Sequence, residues 1–196
     1  MWNFKTPGIP DEYFERAEKV PITKEEVRTI QLSKARLKPG QTVYDIGCGS
    51  GSISVEAAFQ IESSGKVLAI DYDENAITLT KKNLNKFNIS NVSVIFGNAK
   101  EKINDLEPAD VIFIGGTGGD TAEIVKLSEN KLKTSGRIVI GIILIETLYS
   151  VLQILDKLKF DSIDITQVTI SKSRKTTTGT MMLARNPVTI ISATKV

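Results

Sequence analysis

Short apolar runs alternate with amphipathic segments along most of the chain. The apolar runs predict strands at residues 42–47, 66–71, 92–97, 110–115 and 137–143. Apolar residues three or four positions apart predict helices from residue 23, over 52–62, from 73, and over 100–104, 121–132 and 146–159. This alternation is typical of crossover units around a parallel sheet that is buried on both faces.

The C-terminal part departs from this alternation. Residues 163–170 and 180–194 both have a strand pattern, and only the polar loop SKSRKTTTG separates them. Two such strands must pair antiparallel. The expected fold is therefore α/β, with a seven-stranded, mostly parallel sheet, a C-terminal antiparallel hairpin and helices on both faces. This is the Rossmann-like layout of class I methyltransferases.

The first 22 residues show no long periodic pattern and contain Pro7, Pro10 and Pro21. We expect an N-terminal arm over residues 1–22 that packs on the domain; a flap over the active site or an oligomer contact are the alternatives. With 196 residues, of which 41% are hydrophobic, the chain suffices for one core and not for two ordinary domains. Residues 23–196 are therefore expected to form that domain.

The composition excludes several kinds of chemistry and partner. The chain has no histidine, which excludes a Ser-His-Asp triad, an imidazole base and a His-containing zinc site. Cys48 is the single cysteine, so we expect no disulfide and no metal site. A net charge of +2 gives no strong field for nucleic-acid binding. No signal pattern or membrane-length apolar run occurs, and a cytoplasmic location is expected.

The most informative motif is Asp45-Ile46-Gly47-Cys48-Gly49-Ser50-Gly51, which ends the first predicted strand. Glycines at alternate positions allow a sharp turn and a ligand lying directly on the backbone, next to the free N–H groups of a helix. The third glycine of the dinucleotide fingerprint is missing, which argues against a nicotinamide cofactor. Asp71 ends the second strand, where its carboxylate can accept both hydroxyls of a ribose. The motif therefore predicts S-adenosylmethionine, with Cys48 as a small packed residue.

The fourth predicted strand ends in a second glycine-rich segment, residues 115–119. It lacks the N/D-P-P-Y/F motif of amino-group methylases. Glycines beyond a strand's carboxyl end create an open floor that suits a large flat substrate. The alternative is a permissive turn before a helix that is capped by Asp120 with Glu123.

Several segments together resemble the cobalt-precorrin C15-methyltransferase/decarboxylase family of cobalamin biosynthesis. They are IPDEYF, PITKEEVR, DIGCGSG, GGTGGD and GTMMLARNPV, and the resemblance runs from Gly8 to the C-terminus. It implies methylation of C15 of a cobalt-containing tetrapyrrole, loss of carbon dioxide from the C12 acetate, and a homotetramer. Carried over by position, the implied cofactor contacts are Thr23, Gly47, Cys48, Gly49, Ser50, Gly51, Asp71 and Ala99.

Two of these implied contacts have features of their own. Thr23 with Glu26 has the sequence of a helix capping box, which would explain Thr23 without a ligand. The amide of Ala99 could meet an adenine edge, while Asn98 stands where the family usually has Asp. No general acid or base is apparent.

A substrate with many carboxylates should need cationic partners. Lys172, Arg174, Lys175 and Arg185 are the candidates, and we hypothesise that Arg174 reaches an acetate or propionate. The rival functions are a tRNA adenine-N1 methyltransferase and a regulatory module that binds S-adenosylmethionine without catalysis. An RNA enzyme would favour a stronger basic field and an added RNA-binding domain.

Overall fold

The computed structural model describes residues 2–158 and 160–196. Its strands are β1 Thr42–Ile46, β2 Lys66–Asp71, β3 Val92–Phe96, β4 Ala109–Ile114, β5 Leu132–Ile142, β6 Phe160–Val168, β7 Ser171–Lys175, β8 Thr180–Ala184 and β9 Val188–Lys195. Its α-helices are α1 Glu25–Ala35, α2 Ser52–Ile61, α3 Glu74–Lys86, α4 Ala99–Lys102, α5 Thr121–Lys131 and α6 Ile145–Leu155. Short 3-10 turns lie at Asp11–Tyr13 and Ile103–Asp105.

Seven strands form one sheet in the order β3-β2-β1-β4-β5-β9-β6. The first five are parallel, and β9 runs antiparallel to both of its neighbours. Apolar side chains of successive residues point to opposite faces, so the central strands are buried on both. One face packs against α5 and α6, and the other against α1 and α2. The predicted fold class is confirmed.

The C-terminal strand boundaries were predicted wrongly. Within the expected polar loop, Ser171–Lys175 form β7, which pairs antiparallel with β8 in a separate two-stranded ribbon. The expected strand over 180–194 is two strands, β8 and β9, and Pro187, which cannot donate to a ladder, lies between them. The side chains of β7 are mostly exposed, so the strand has no apolar alternation to detect. The ribbon depends on pairing between distant segments.

The predicted capping box of the first helix is also wrong. The cap position belongs to Lys24, and no side chain among residues 2–158 and 160–196 makes a capping hydrogen bond there. The carbonyl of Thr23 instead accepts a hydrogen bond from the Arg28 guanidinium. The Glu26 carboxylate pairs with Lys172 and so turns away from the helix start. The end predicted for the last helix, residue 159, lies outside the described residues; α6 ends at Leu155.

Residues 2–22 of the arm lie along α2 and α3. Ile9, Phe14 and Ile22 are buried against side chains of α2 and the end of α3. Val20 packs against α3 nearby. The arm therefore packs on the domain and contributes to its hydrophobic core. Among the described residues, no helix is long and apolar enough to cross a bilayer.

Candidate active site

A cleft of about 200 Å³ opens at the carboxyl ends of β1, β2, β3 and β4. This is the edge at which open α/β sheets bind ligands. Its lining comes from the last residues of these strands, from the segments that follow them and from the start of α5: Ile46, Gly47, Ile70, Asp71, Tyr72, Gly97, Asn98, Ala99, Gly116, Thr117, Gly118, Asp120 and Ile124.

The glycine loop, residues 45–51, needs its glycines for backbone conformation. Gly47, Gly49 and Gly51 have φ of +72°, +56° and +73°. A side chain in this left-handed region is strained, whereas glycine adopts it freely. The turn of the loop therefore depends on three positions at which any other residue would be strained.

The same glycines are also required by close neighbours within the protein. A Cβ on Gly47 would run into the carbonyl of Gly116, and one on Gly49 would lie 2.9 Å from the carbonyl of Pro21. A Cβ on Gly51 would lie 2.8 Å from the Thr80 side chain. We expected a ligand against the loop backbone. At these three positions the near neighbour is the protein's own chain.

Asp71 joins the glycine loop to the start of α3. Its Oδ2 accepts the amide of Gly49 at 2.9 Å, and its Oδ1 accepts the amide of Asp73 at 3.0 Å. Each carboxylate oxygen keeps a second lone pair. The cap of α3 is Asp73, whose side chain accepts the amide of Asn75. Asp71 thus lines the cleft with acceptor capacity to spare.

Two other polar residues at the base of the loop are buried. Burial raises the pKa of Asp45 to about 6, and the nearby charge of Asp71 adds to the rise, although Ser54 Oγ donates to Asp45 at 2.5 Å. Burial likewise raises the pKa of the Cys48 thiol, whose sulfur lies 3.5 Å from Thr80 Oγ1. A protonated, buried thiol is a poor nucleophile, which agrees with the interpretation of Cys48 as a packed residue.

The predicted contact residues separate into two groups. Gly47, Asp71 and Ala99 line the cleft. The cleft lining does not include Thr23 or residues 48–51, and the carbonyl of Thr23 accepts a hydrogen bond from Arg28. Within the part of the chain that the structure describes, the buried Ser50 hydroxyl has no hydrogen-bond partner.

Sequence reasoning missed Tyr72 of the lining. Tyr72 is the residue directly after β2, and its hydroxyl lies 3.6 Å from where a Cβ on Gly118 would be. The signal that could have found it is its position directly after a predicted strand.

The side of the cleft that follows β3 is formed by the N-terminus of α4. The Asn98 side chain accepts the amide of Lys100 at 3.0 Å and so caps α4. Ala99 is the first residue of that helix, and its amide has no carbonyl of its own helix to donate to. Asn caps a helix as well as Asp does. The residue that departs from the family's pattern therefore keeps a structural role.

A salt bridge connects α4, on this side of the cleft, to the start of α5 on the other side. Lys100 Nζ lies 3.1 Å from the carboxylate of Asp120 and 3.3 Å from that of Glu123. Hydrogen bonds to these two carboxylates raise the pKa of Lys100. Asp120 occupies the cap position of α5, as the turn interpretation predicted, but among the described residues its side chain makes no capping bond, so the expected capping box with Glu123 does not form.

An exposed apolar surface lies beside the glycine floor. Ile114 of β4 pairs with Ile140 of β5, so the residues after β5 continue next to residues 115–119. Four large apolar side chains are exposed there: Ile143 (63%), Leu144 (63%), Ile145 (80%) and Tyr149 (65%). We call these four residues the apolar edge. Three consecutive exposed apolar side chains and a nearby tyrosine at one edge of a domain indicate a binding surface.

The candidate cations on the ribbon differ in their availability. Lys172 Nζ lies 2.5 Å from the Glu25 carboxylate and 2.8 Å from that of Glu26. Arg185 lies 3.6 Å from Glu26. Arg174 is exposed and, within residues 2–158 and 160–196, takes part in no ion pair. Of the predicted cations, Lys172 and Arg185 therefore fasten the ribbon to α1.

Comparison with known proteins identifies close relatives along nearly the whole chain. A family model described as a precorrin methyltransferase domain matches residues 12–195. The probable cobalt-precorrin-6B C(15)-methyltransferase (decarboxylating) of Saccharolobus solfataricus is 47% identical over 196 residues, which cover 99% of this chain and 98% of the relative.

Solved structures agree with this. A precorrin-6y C5,15-methyltransferase from Geobacter metallireducens has a TM-score of 0.89 at 34% identity, covering 97% of this chain and 98% of the other. A precorrin 8W decarboxylase from Methanobacterium thermoautotrophicum has a TM-score of 0.88 at 35% identity, covering 94% and 98%.

Proposed function

The chain belongs to the precorrin methyltransferase family, and on that premise we propose that it methylates C15 of a cobalt-precorrin with S-adenosylmethionine as donor. In the same proposal it removes carbon dioxide from the C12 acetate side chain, in anaerobic cobalamin biosynthesis. The observation that carries the proposal is the 47% identity over nearly the whole length of a relative that is named for this reaction.

The cleft has the groups that S-adenosylmethionine requires. Asp71 has a free lone pair on each oxygen for the ribose hydroxyls, and the Ala99 amide is available for the adenine edge. The turn at Gly47 brings the backbone to the cleft. Five further proposed contacts rest on the family resemblance and do not line the cleft: Thr23, Cys48, Gly49, Ser50 and Gly51. Among them, the buried Ser50 hydroxyl has no hydrogen-bond partner within the described residues. When bound, the cofactor supplies a methyl group on a positively charged sulfur.

The chain's own residues would act mainly by holding the two reactants in line. The attacking electron pair belongs to a carbon of the substrate's conjugated macrocycle, and the sulfur keeps the electrons of the bond that breaks. When carbon dioxide leaves, the macrocycle takes up the electron pair and then a proton. Since the substrate supplies this electronic capacity, as cofactors do in other enzymes, a chain without histidine suffices.

We propose that the macrocycle lies on the apolar edge with its carboxylates toward cations. The edge adjoins the glycine floor, and an apolar surface of this kind suits a flat ring. Arg174 remains the candidate for an acetate or propionate, because Lys172 and Arg185 already have acidic partners. Replacing Arg174 by Ala should weaken substrate binding and leave cofactor binding unchanged. An unchanged substrate affinity would refute this role.

We also propose a homotetramer that acts in the cytoplasm. The ribbon exposes Met181, Met182 and Leu183, and the edge strand β6 exposes Ile163 and Ile165. Such surfaces are typical of contacts between subunits. Sedimentation equilibrium tests the assembly. In this proposal residues 1–22 serve as an arm and residues 23–196 as the methyltransferase domain.

Labelled S-adenosylmethionine tests the function itself. We expect label to pass to a cobalt-precorrin and none to pass to unmodified tRNA. Labelled tRNA would instead support the adenine-N1 methyltransferase alternative. A protein that binds the cofactor and labels neither substrate would support the regulatory module.

A further inference from the structure

A buried ion pair fastens the arm to the body of the domain. The Glu56 carboxylate of α2 accepts the amide of Gly8 at 2.6 Å, the amide of Ile9 at 3.0 Å and Arg28 Nε at 2.5 Å. The Arg28 and Glu56 side chains are 0% and 2% exposed. The rest of the guanidinium donates to the carbonyls of Ile9 and Thr23, and its Nη1 lies 3.4 Å from the Asp11 carboxylate. The partners of the pair therefore come from the arm and from the segment before α1, and most of them are backbone groups.

The same arm contacts the back of the glycine loop. The carbonyl of Pro21 accepts the amide of Ser50 at 3.2 Å and lies against Gly49. Asn83 of α3 adds a second connection, since its Nδ2 donates to the carbonyls of Ser50 at 2.9 Å and of Glu15 at 3.3 Å. Its Oδ1 accepts the amide of Glu15 at 2.7 Å. Both backbone groups of Ser50 are therefore tied to the arm, one directly and one through Asn83.

These contacts compensate for the conformational flexibility of the glycine loop. A segment with three glycines at positive φ has many alternative conformations and loses much entropy when a ligand fixes it. Contacts that hold the loop in shape beforehand increase its affinity for the ligand. Arg28 holds the Thr23 carbonyl, only two residues from Pro21, and so fixes the segment that meets the loop.

We propose that the arm is a clasp for the glycine loop, and that Arg28 and Glu56 are positioning residues that set the affinity for S-adenosylmethionine without touching it. The inference rests on the proposed function only in taking S-adenosylmethionine as the ligand. It gives the arm a role in cofactor binding in addition to its place in the core.

The test measures the Kd of S-adenosylhomocysteine by calorimetry, well below the unfolding temperature of every variant. Glu56→Gln and Arg28→Lys should each raise the Kd about tenfold, the equivalent of one hydrogen bond. The matched control is Val151→Ala, which removes buried side-chain volume from α6, far from the arm in the packing. It should lower stability and change the Kd by less than about twofold.

Hydrogen exchange on the wild-type protein supplies a second measurement that needs no variant. Because coupling between two sites is reciprocal, saturating S-adenosylhomocysteine should slow exchange at the amides of Gly8 and Ile9. Unchanged exchange there, or the same rise in Kd for Val151→Ala as for the two clasp variants, would overturn the clasp. Wild-type protein that does not bind S-adenosylhomocysteine would instead overturn the proposed function, and the clasp with it.

Discussion

The glycine loop and the ribbon are both short segments outside the central sheet, yet they are held very differently. The loop is contacted by Asp71, by Thr80, by Asn83 and by the arm, through groups that are mostly buried. The ribbon is joined to α1 by the half-exposed ion pairs of Lys172 and Arg185. Methyl transfer needs a cofactor in a fixed position, whereas a surface for a large substrate or a second subunit can adapt. The difference predicts strong effects at the loop and weak ones at the ribbon.

The largest effect is expected from Gly47→Ala. The added methyl would meet the carbonyl of Gly116 at a residue with φ of +72°, so we expect a loss of roughly 3 kcal/mol of unfolding free energy. Gly179→Ala in the turn of the ribbon is the matched control. Within the described part of the chain, no heavy atom lies within 4 Å of its Cβ position, and the change should stay within about 0.5 kcal/mol. Urea denaturation of both variants checks the contrast, and equal losses would refute it.

Asp71→Asn should weaken S-adenosylhomocysteine binding roughly 10- to 100-fold, the equivalent of a hydrogen bond to a charged group. The amide keeps one acceptor oxygen, so it cannot hold both Gly49 and Asp73 and serve the ribose as well. Asp73→Asn is the control, because Asn caps a helix equally well. Calorimetry gives both dissociation constants. Similar values for the two variants would remove Asp71 from the proposed cofactor site.

The buried Asp45 predicts a pH dependence of stability. Its pKa is raised to about 6 in the folded protein, from 3.8 in the unfolded chain. The folded state therefore binds more protons between these values, and its stability falls as the pH rises through this range, by roughly 2 to 3 kcal/mol. Asp45→Asn should lack this contribution. Denaturation of both proteins at intervals from pH 4 to pH 7 gives the difference. A difference that does not change with pH would show that Asp45 titrates normally.

The smallest effect is expected from Lys172→Met on the ribbon. Its ion pairs with Glu25 and Glu26 are partly exposed, and such pairs contribute up to about 1 kcal/mol. The Kd of S-adenosylhomocysteine should stay within about twofold of wild type, because the ribbon does not hold the glycine loop. Lys175→Met, at an exposed position of the same strand, serves as the control. A large change in Kd would mean that the ribbon supports the loop after all.

The parts of the fold that the sequence predicted are those fixed by local pattern. Each parallel strand contains a short apolar run, and most residues that line the cleft follow strand ends, so the fold and the position of Asp71 could be predicted. β7 could not, because a polar strand forms only through its pairing with β8. The predicted capping role of Thr23 was wrong for a similar reason. The deciding contact comes from Arg28, whose own position depends on Glu56 in another helix.

The reason for the loop glycines was likewise not visible in the sequence. Gly47 is adjacent to Gly116, and Gly49 to Pro21, only in the folded chain. A glycine-rich motif shows that something approaches the backbone closely, but it does not distinguish a ligand from another segment of the protein. Here the protein approaches from one side, and the cleft that we assign to the cofactor lies at Gly47.

The most direct test of the account is mass spectrometry of a cobalt-precorrin incubated with the purified protein and S-adenosylmethionine. The account predicts a product that has gained one methyl group and lost one carboxyl group, with both changes abolished when Gly47 is replaced by Ala. A product that gains the methyl group and keeps every carboxyl group would contradict the assignment of both reactions to this chain. A tetrapyrrole that leaves the reaction unchanged would contradict the proposed function as a whole.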